Sequence, residues 1–189
     1  MSHPTPLRLV VMGVSGCGKT TLTQALGAAL GLRAVDGDDL HLPESVRKMS
    51  AGIALTDDDR WPWLERVATS LHGPTHNLHD IDSPGDAHAG CVVACSALRR
   101  VYRNHLRERV PGLRFVFLDG EAALLHQRMA QRAGHFMRLQ LLESQLSTLE
   151  RPAADERDTL SLRADQPLGE LVAQVRRSCE AQTATNLRV

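Results

Sequence analysis

Residues 13–20 read Gly13-Val14-Ser15-Gly16-Cys17-Gly18-Lys19-Thr20 and directly follow the apolar run Leu9-Val10-Val11-Met12. This stretch matches the pattern G-x-x-x-x-G-K-[ST] at every position and predicts a strand, a glycine-rich loop and then a helix. Backbone N–H groups of such a loop converge on one point, which the positive end of the helix dipole also faces. A concave arrangement of this kind binds phosphate. The alternative is a plain glycine turn between strand and helix, but the lysine and threonine favour a phosphate loop.

The side chains at the end of this loop predict a nucleoside triphosphate as the ligand. We expect Lys19 to reach the β- and γ-phosphates of this ligand and Thr20 to offer its hydroxyl to Mg²⁺. For Cys17, which lies near a helix N-terminus and a lysine, oxidation sensitivity is one hypothesis and a small residue filling a loop position is the other. The other expected contacts to the nucleotide come from Gly13, Ser15, Gly16, Cys17, Gly18 and Thr21.

The composition narrows the class of protein. The 189 residues predict one domain, and lysine plus arginine equals aspartate plus glutamate at 22 each. We therefore expect no nucleic-acid partner, because a broad basic surface is absent. We expect no membrane partner either, because no apolar run approaches the length of a membrane span. The polar N-terminus, Met1-Ser2-His3-Pro4, predicts a cytoplasmic protein.

Apolar runs alternate with helical patterns along the chain, which is typical of a parallel sheet with crossover helices. A loop at 72–90 is rich in histidine and aspartate; it is interpreted as a solvated surface loop, with a metal site as the alternative. A frayed tail is expected at about 182–189. Strands are predicted at 7–12, 33–36, 91–95, 113–118 and 159–162. Helices are predicted at 19–30, 43–52, from 56, and at 98–109, 121–132, 138–149 and 167–179.

Three exclusions point from the phosphate loop to a small phosphotransferase. The guanine-reading string N-K-x-D is absent, the strand at 91–95 ends in Cys-Ser without an acidic residue, and the chain is short for a motor or transporter. Such an enzyme must hold a second substrate beside the γ-phosphate. Asp36, Asp38 and Asp39 follow the second strand, where parallel sheets bind their ligands, and a carboxylate there could orient an acceptor hydroxyl.

Two arginines predict a lid over the triphosphate. Arg128 and Arg132 are four residues apart and so share one helix face, and Gly134-His135-Phe136 behind them is a plausible hinge. Guanidinium groups on a mobile segment at about 128–150 could neutralise the charge that develops during transfer and exclude water. An ordinary solvated helix face is the alternative.

Taken together, these residues resemble the gluconokinase family along nearly the whole chain, from Val10 to about Val172. The strings D-D-D-R-x-P-W-L at 57–64 and C-S-A-L at 95–98 are specific, because shikimate and adenylate kinases differ there. The other strings that carry the resemblance lie at 12–20, 36–41, 48–52, 99–103, 134–136 and 155–158.

The resemblance implies ATP-dependent phosphorylation of D-gluconate to 6-phospho-D-gluconate. It also implies a three-layer α/β/α kinase fold with a five-stranded parallel sheet and a helical lid, and commonly a homodimer. Asp36 would polarise the acceptor hydroxyl or hold Mg²⁺ through water, and Asp165, Gln166 and Pro167 would border the adenine. The substrate candidates are Asp38, His41, Lys48, Arg60, Ser96, Ala97, Arg99, Arg103 and His135.

Two other functions fit parts of the sequence. One is a kinase for a related sugar acid or polyol, which would use the same phosphate loop. The other is an ATP-binding regulatory module without catalysis, against which Lys19, Thr20, Asp36 and Arg128 argue because they are all present.

Overall fold

The computed structural model describes residues 6–72, 90–131 and 135–186, with the side chains of 135–138 and 182–186 left aside. Several predictions from the sequence therefore lie outside the described residues. They are the histidine-rich loop beyond His72, the lid residue Arg132, the hinge glycine Gly134, the side chain of His135 and the last residues of the tail.

The centre of the fold is a parallel five-stranded sheet in the order β2-β3-β1-β4-β5. The strands are β1 (Leu7–Met12), β2 (Arg33–Asp36), β3 (Gly90–Ala94), β4 (Arg114–Asp119) and β5 (Thr159–Arg163). The helices are α1 (Lys19–Leu30), α2 (Pro43–Ser50), α3 (Asp57–His72), α4 (Arg100–Arg109), α5 (Ala122–Ala130), α6 (His135–Thr148) and α7 (Leu168–Asn186), and a 3-10 turn spans Gly37–Leu40.

Alternating side chains of the strands fill two separate cores, one on each face of the sheet. Leu9 and Val11 of β1 belong to the core under α1 and α7, whereas Val10 and Met12 belong to the core under α3 and α4. Cys95 is buried in the second core, where the loss of solvent raises its pKa to about 12. Because both faces of the sheet are covered by helices, the fold has the three α/β/α layers that the sequence predicted.

The strand order brings the polar loops to one edge of the sheet. From β1 the chain crosses β3 to reach β2, returns to β3 and then passes β1 again to reach β4. The strand order therefore reverses its direction next to β1. Open α/β sheets bind their ligands at such a reversal, at the carboxyl ends of the strands. The phosphate loop follows β1 at this point, between the carboxyl ends of β3 and β4.

Most predicted elements are present, and the differences lie at the ends. Helix α3 starts as predicted and is capped by Thr56: Thr56 Oγ1 accepts the Asp59 N–H at 3.3 Å, and Asp59 Oδ2 accepts the Thr56 N–H at 2.9 Å. Helix α7 continues to Asn186, past the end predicted at Cys179 and into the stretch predicted to fray. Glycine and proline are absent between Cys179 and Asn186, so nothing in the sequence stops the helix there. Within the described ranges no helix is both long and apolar enough to cross a membrane.

Candidate active site

The phosphate loop has a backbone that its glycines make possible. Gly13 has φ 139°, and a Cβ there would lie 2.8 Å from the Leu118 carbonyl oxygen and 2.9 Å from Cys17 Sγ. The Gly13 N–H donates to the Ser96 carbonyl at 3.3 Å, which ties the loop to the segment after β3. Lys19 Nζ donates to the Val14 carbonyl at 3.1 Å, so its ammonium group folds back over the loop.

Thr20 and Asp36 meet at the end of the loop. Thr20 Oγ1 donates to Asp36 Oδ2 at 2.8 Å, while Asp36 Oδ1 accepts the Asp38 N–H at 3.0 Å and caps the 3-10 turn. Hydroxyl and carboxylate oxygens are the ligands that Mg²⁺ prefers, and in such sites a few of them act together with phosphate and water oxygens. The pair therefore fits a magnesium ion, although the described residues contain no cluster of three or more histidine, cysteine, aspartate or glutamate side chains that could hold a metal alone.

Two cavities meet beside Lys19. The first, which we term the phosphate cavity, has a volume of about 320 Å³ and is lined by the loop with Thr20, Asp36 and Asp38. The second, which we term the adjoining cavity, has a volume of about 90 Å³. Both include Ser15, Lys19 and Asp38 in their walls. The remaining polar and aromatic walls of the adjoining cavity are His41, Arg60, Trp63, Ser96 and Gln145.

The adjoining cavity combines an arginine with a buried histidine. Arg60 Nη1 lies 3.4 Å from the Tyr102 hydroxyl. His41 stacks on Trp63 with ring centroids 4.5 Å apart, and Trp63 Nε1 donates to the Gly37 carbonyl at 2.7 Å. Burial lowers the pKa of His41; the nearby Asp38 carboxylate acts in the opposite direction and Arg60 in the same one. His41 Nδ1 is buried and has no hydrogen-bond partner among the described residues, so a ligand hydroxyl could satisfy it.

A third cavity, which we term the outer cavity, lies on the other side of the loop. Its walls include Gly16, Thr21 and Leu171, and Gln166 from the segment after β5. Arg128 also lines it, donating from Nη2 to the Ala164 carbonyl at 3.0 Å, with Nη1 lying 3.4 Å from the Gly16 carbonyl. An apolar wall beside the phosphate loop suits a nucleotide base.

Of the three residues predicted to border the adenine, the structure brings only Gln166 to the outer cavity. Asp165 turns toward Arg163, with its Oδ1 3.1 Å from Arg163 Nε, and this ion pair lowers the pKa of Asp165. Pro167 contributes its carbonyl to the first turn of α7, where it accepts the N–H groups of Glu170 and Leu171.

Arg103, a predicted substrate residue, is locked inside the fold instead. Its Nε and Nη2 donate to the two oxygens of Glu156 at 2.7 and 2.6 Å, and the Arg103 side chain is fully buried. Its Nη1 bonds to the Ala97, Leu98 and Glu150 carbonyls, so all three guanidinium nitrogens bind groups of the protein itself. The sequence carried a signal for this pair, since Arg103 and Arg107 share a helix face and an acidic string lies at 155–158.

Lys48 and Arg99, also predicted to bind substrate, form ion pairs with the start of α3. Lys48 Nζ lies 2.6 Å from Asp59 Oδ1, and Arg99 Nη1 lies 2.6 Å from Asp57 Oδ2. Neither side chain lines the adjoining cavity. Both partners come from the D-D-D string at 57–59.

The segment after β3 gives a mixed result. Ser96 lines the adjoining cavity, as predicted. Ala97 is buried with φ 40°, a left-handed conformation that is uncommon outside glycine, and its carbonyl is held by Arg103. Ala97 is thus a spacer that orients its neighbours. His135 begins α6, and its side chain lies outside the described residues.

Gln145 contacts the phosphate loop and was not predicted from the sequence. This residue of α6 accepts the Ser15 N–H through its Oε1 at 2.6 Å, across 130 positions of the chain. No motif marks it, because the contact depends on how α6 packs over the phosphate loop.

The fold and the site together define a phosphate-loop kinase. Shikimate kinase from Aquifex aeolicus shares this fold, with a TM-score of 0.55 at 15% sequence identity over 94% of this chain and 99% of that one.

The comparisons with known proteins then identify the family. The chain is 40% identical to the thermosensitive gluconokinase of Escherichia coli over 169 residues, covering 89% of this chain and 85% of the relative. A gluconokinase structure from Sinorhizobium meliloti superimposes with a TM-score of 0.79 at 45% identity, over 98% of both chains. No sequence-family profile matches. The chain therefore belongs to the gluconokinase family.

Proposed function

We propose that this protein is a gluconokinase, which transfers the γ-phosphoryl group of ATP to D-gluconate and forms 6-phospho-D-gluconate and ADP. The observation that carries the proposal is the shared wall of the two cavities, in which Ser15, Lys19 and Asp38 face both. A donor phosphate in one cavity and an acceptor hydroxyl in the other would meet there without crossing solvent. Such juxtaposition is the main requirement of phosphoryl transfer.

On the donor side, the loop N–H groups would bind the phosphates and Lys19 would swing from the Val14 carbonyl onto them. Thr20 and Asp36 would hold Mg²⁺, which, when bound, offsets negative charge on the phosphates. Arg128 lies against the loop carbonyls and would stabilise the charge that develops during transfer. The adenine would occupy the outer cavity beside Gln166.

On the acceptor side, Arg60 would bind the gluconate carboxylate, and Asp38 and His41 would bind its hydroxyls. Asp38 is better placed than Asp36 to accept the proton of the attacking hydroxyl, because Asp38 lines both cavities and Asp36 lines only the phosphate cavity. The hydroxyl oxygen forms a bond to the γ-phosphorus, the bond to ADP breaks, and the proton passes to Asp38.

The segment at about 128–150, including Arg132 and His135, would act as a lid within a single kinase domain. Helix α6 supports this proposal, because it contributes Leu141 to the walls of both cavities. We further propose a homodimer that acts in the cytoplasm. The homodimer rests on the family resemblance, and light scattering of the purified protein tests it.

A coupled assay that follows ADP release tests the reaction. With ATP and Mg²⁺, we expect turnover with D-gluconate that exceeds turnover with other aldonates, with shikimate and with AMP. Preference for another aldonate or a polyol would establish the related-kinase alternative. ATP binding without ADP release for every acceptor would establish the regulatory alternative.

A further inference from the structure

Gln145 links the lid helix to the phosphate loop. Its Oε1 accepts the Ser15 N–H at 2.6 Å, while the same side chain lines the adjoining cavity with Asp38, His41 and Arg60. Leu142, one helical turn before Gln145, is fully buried in the core and anchors α6 there. The contact therefore belongs to a packed helix and not to a free surface side chain.

The Ser15 N–H is a donor that a bound phosphate also needs. It belongs to the loop whose N–H groups form the anion site, and Ser15 lines both cavities. Because the group that is transferred must face the acceptor, the phosphate that reaches Ser15 is the terminal one. One N–H makes one strong hydrogen bond, so Gln145 Oε1 and a γ-phosphate oxygen compete for it.

The other end of the carboxamide is available to an acceptor. Gln145 Nε2 donates to no group in the described part of the chain, and the cavity that it faces contains the proposed acceptor residues. An amide offers two N–H donors and a carbonyl oxygen, and all of these can bind a hydroxyl of a polyol.

We propose that Gln145 couples the donor site to the acceptor site. The γ-phosphate takes the Ser15 N–H, and the released carboxamide binds a hydroxyl of the sugar acid in the adjoining cavity. This inference rests on the proposed function. Coupling between two binding sites is reciprocal, so an ATP analogue raises the affinity for the acceptor and the acceptor raises the affinity for the analogue by the same factor.

The test compares Gln145→Ala with Gln140→Ala, a substitution at an exposed position of the same helix. Calorimetry measures the affinity of a non-hydrolysable ATP analogue for the free enzyme, and then that of gluconate for the analogue-loaded enzyme. Since a net hydrogen bond corresponds to a few-fold to about tenfold in affinity, we expect Gln145→Ala to bind the analogue about three- to tenfold more tightly. We expect it to bind gluconate more weakly by a similar factor, and Gln140→Ala to change neither.

Coupling predicts that Gln145→Ala changes the two affinities in opposite directions, which a purely structural role does not. A loosened α6 would weaken both ligands together, and an idle contact would leave both unchanged; either result overturns the proposal. ADP, which lacks the γ-phosphate, should show no gain in affinity in Gln145→Ala. If the unaltered enzyme turns over gluconate but Gln145→Ala does not change the two affinities in opposite directions, the coupling proposal is wrong and the proposed function stands. If the unaltered enzyme does not bind gluconate at all, the proposed function fails and the acceptor half of the coupling fails with it.

Discussion

The phosphate loop and the adjoining cavity share a wall but are built in opposite ways. The loop is eight consecutive residues whose binding groups are mainly backbone N–H groups, and glycine geometry at Gly13 and Gly18 sets its shape. The adjoining cavity draws single side chains from the 3-10 turn, α3, the segment after β3 and α6. A local backbone site survives most changes elsewhere, whereas a site assembled from distant elements depends on the packing between them.

The strongest test of this contrast is Glu156→Gln, which removes the charge that holds Arg103. Leaving a buried guanidinium unpaired costs about 3–5 kcal/mol, so we expect a loss of that size in the free energy of unfolding measured in urea. Asp155→Asn is the matched control, because that neighbour is exposed and pairs with Arg100 at the surface. A small loss for Glu156→Gln would show that Arg103 does not fix the segment after β3.

The same carboxyl gives the unaltered protein a pH dependence. Hydrogen bonds from Arg103 and then Arg107 lower the pKa of Glu156 from 4.5 to about 2, against the opposing effect of burial. A carboxyl whose pKa is lower in the folded state than in the unfolded state stabilises the fold at any pH above the unfolded-state pKa. This contribution is lost as the pH falls towards the folded-state pKa. We expect the free energy of unfolding to decline between about pH 4.5 and pH 2, and Glu156→Gln to lack that part of the decline.

Next in size is Lys19→Ala, which leaves the loop backbone in place. Because the lysine charge matters most in the transition state, we expect kcat to fall by about 10²–10³-fold, while an ATP analogue still binds. Steady-state kinetics and calorimetry measure the two quantities. An unchanged kcat would remove Lys19 from the mechanism, and complete loss of nucleotide binding would show that the backbone alone does not hold the phosphates.

Arg60→Ala tests the side-chain half of the site. A hydrogen bond to a charged group contributes about 1.5–3 kcal/mol, so the KM for gluconate should rise about ten- to a hundredfold with little change in the KM for ATP. The exposed Arg47 of α2 offers a control with the same change in charge. A rise in the KM for ATP instead would place Arg60 at the nucleotide.

The smallest effect is expected from Lys48→Ala. Its ammonium is partly exposed and pairs with Asp59, which lies away from the adjoining cavity. Since exposed ion pairs contribute little, thermal unfolding and the KM for gluconate should both stay close to those of the unaltered enzyme. A clear rise in the KM for gluconate would restore the sequence-based assignment of Lys48 to the substrate.

What could be predicted from sequence follows the same division. The loop, the strands and the acidic turn after β2 were predictable, because each depends on neighbouring residues and on simple periodicity. The partners of Lys48 and Arg99 were not, because an arginine or lysine in a motif gives no indication of whether a substrate or a carboxylate of the fold will pair with it. Gln145 was missed because its contact depends entirely on tertiary packing.

The stacking of His41 on Trp63 also provides an intrinsic fluorescence probe of the acceptor site. The chain has two tryptophans, and Trp63 is the one that lines the adjoining cavity. Trp61 lies apart from that cavity, against Tyr102 and His105. Because the Trp63 indole contacts the His41 imidazole, which would bind the acceptor, we expect the fluorescence of Trp63 to change when the acceptor occupies the cavity. With Trp61 replaced by phenylalanine, the order in which the two substrates arrive could be followed by fluorescence without any added label.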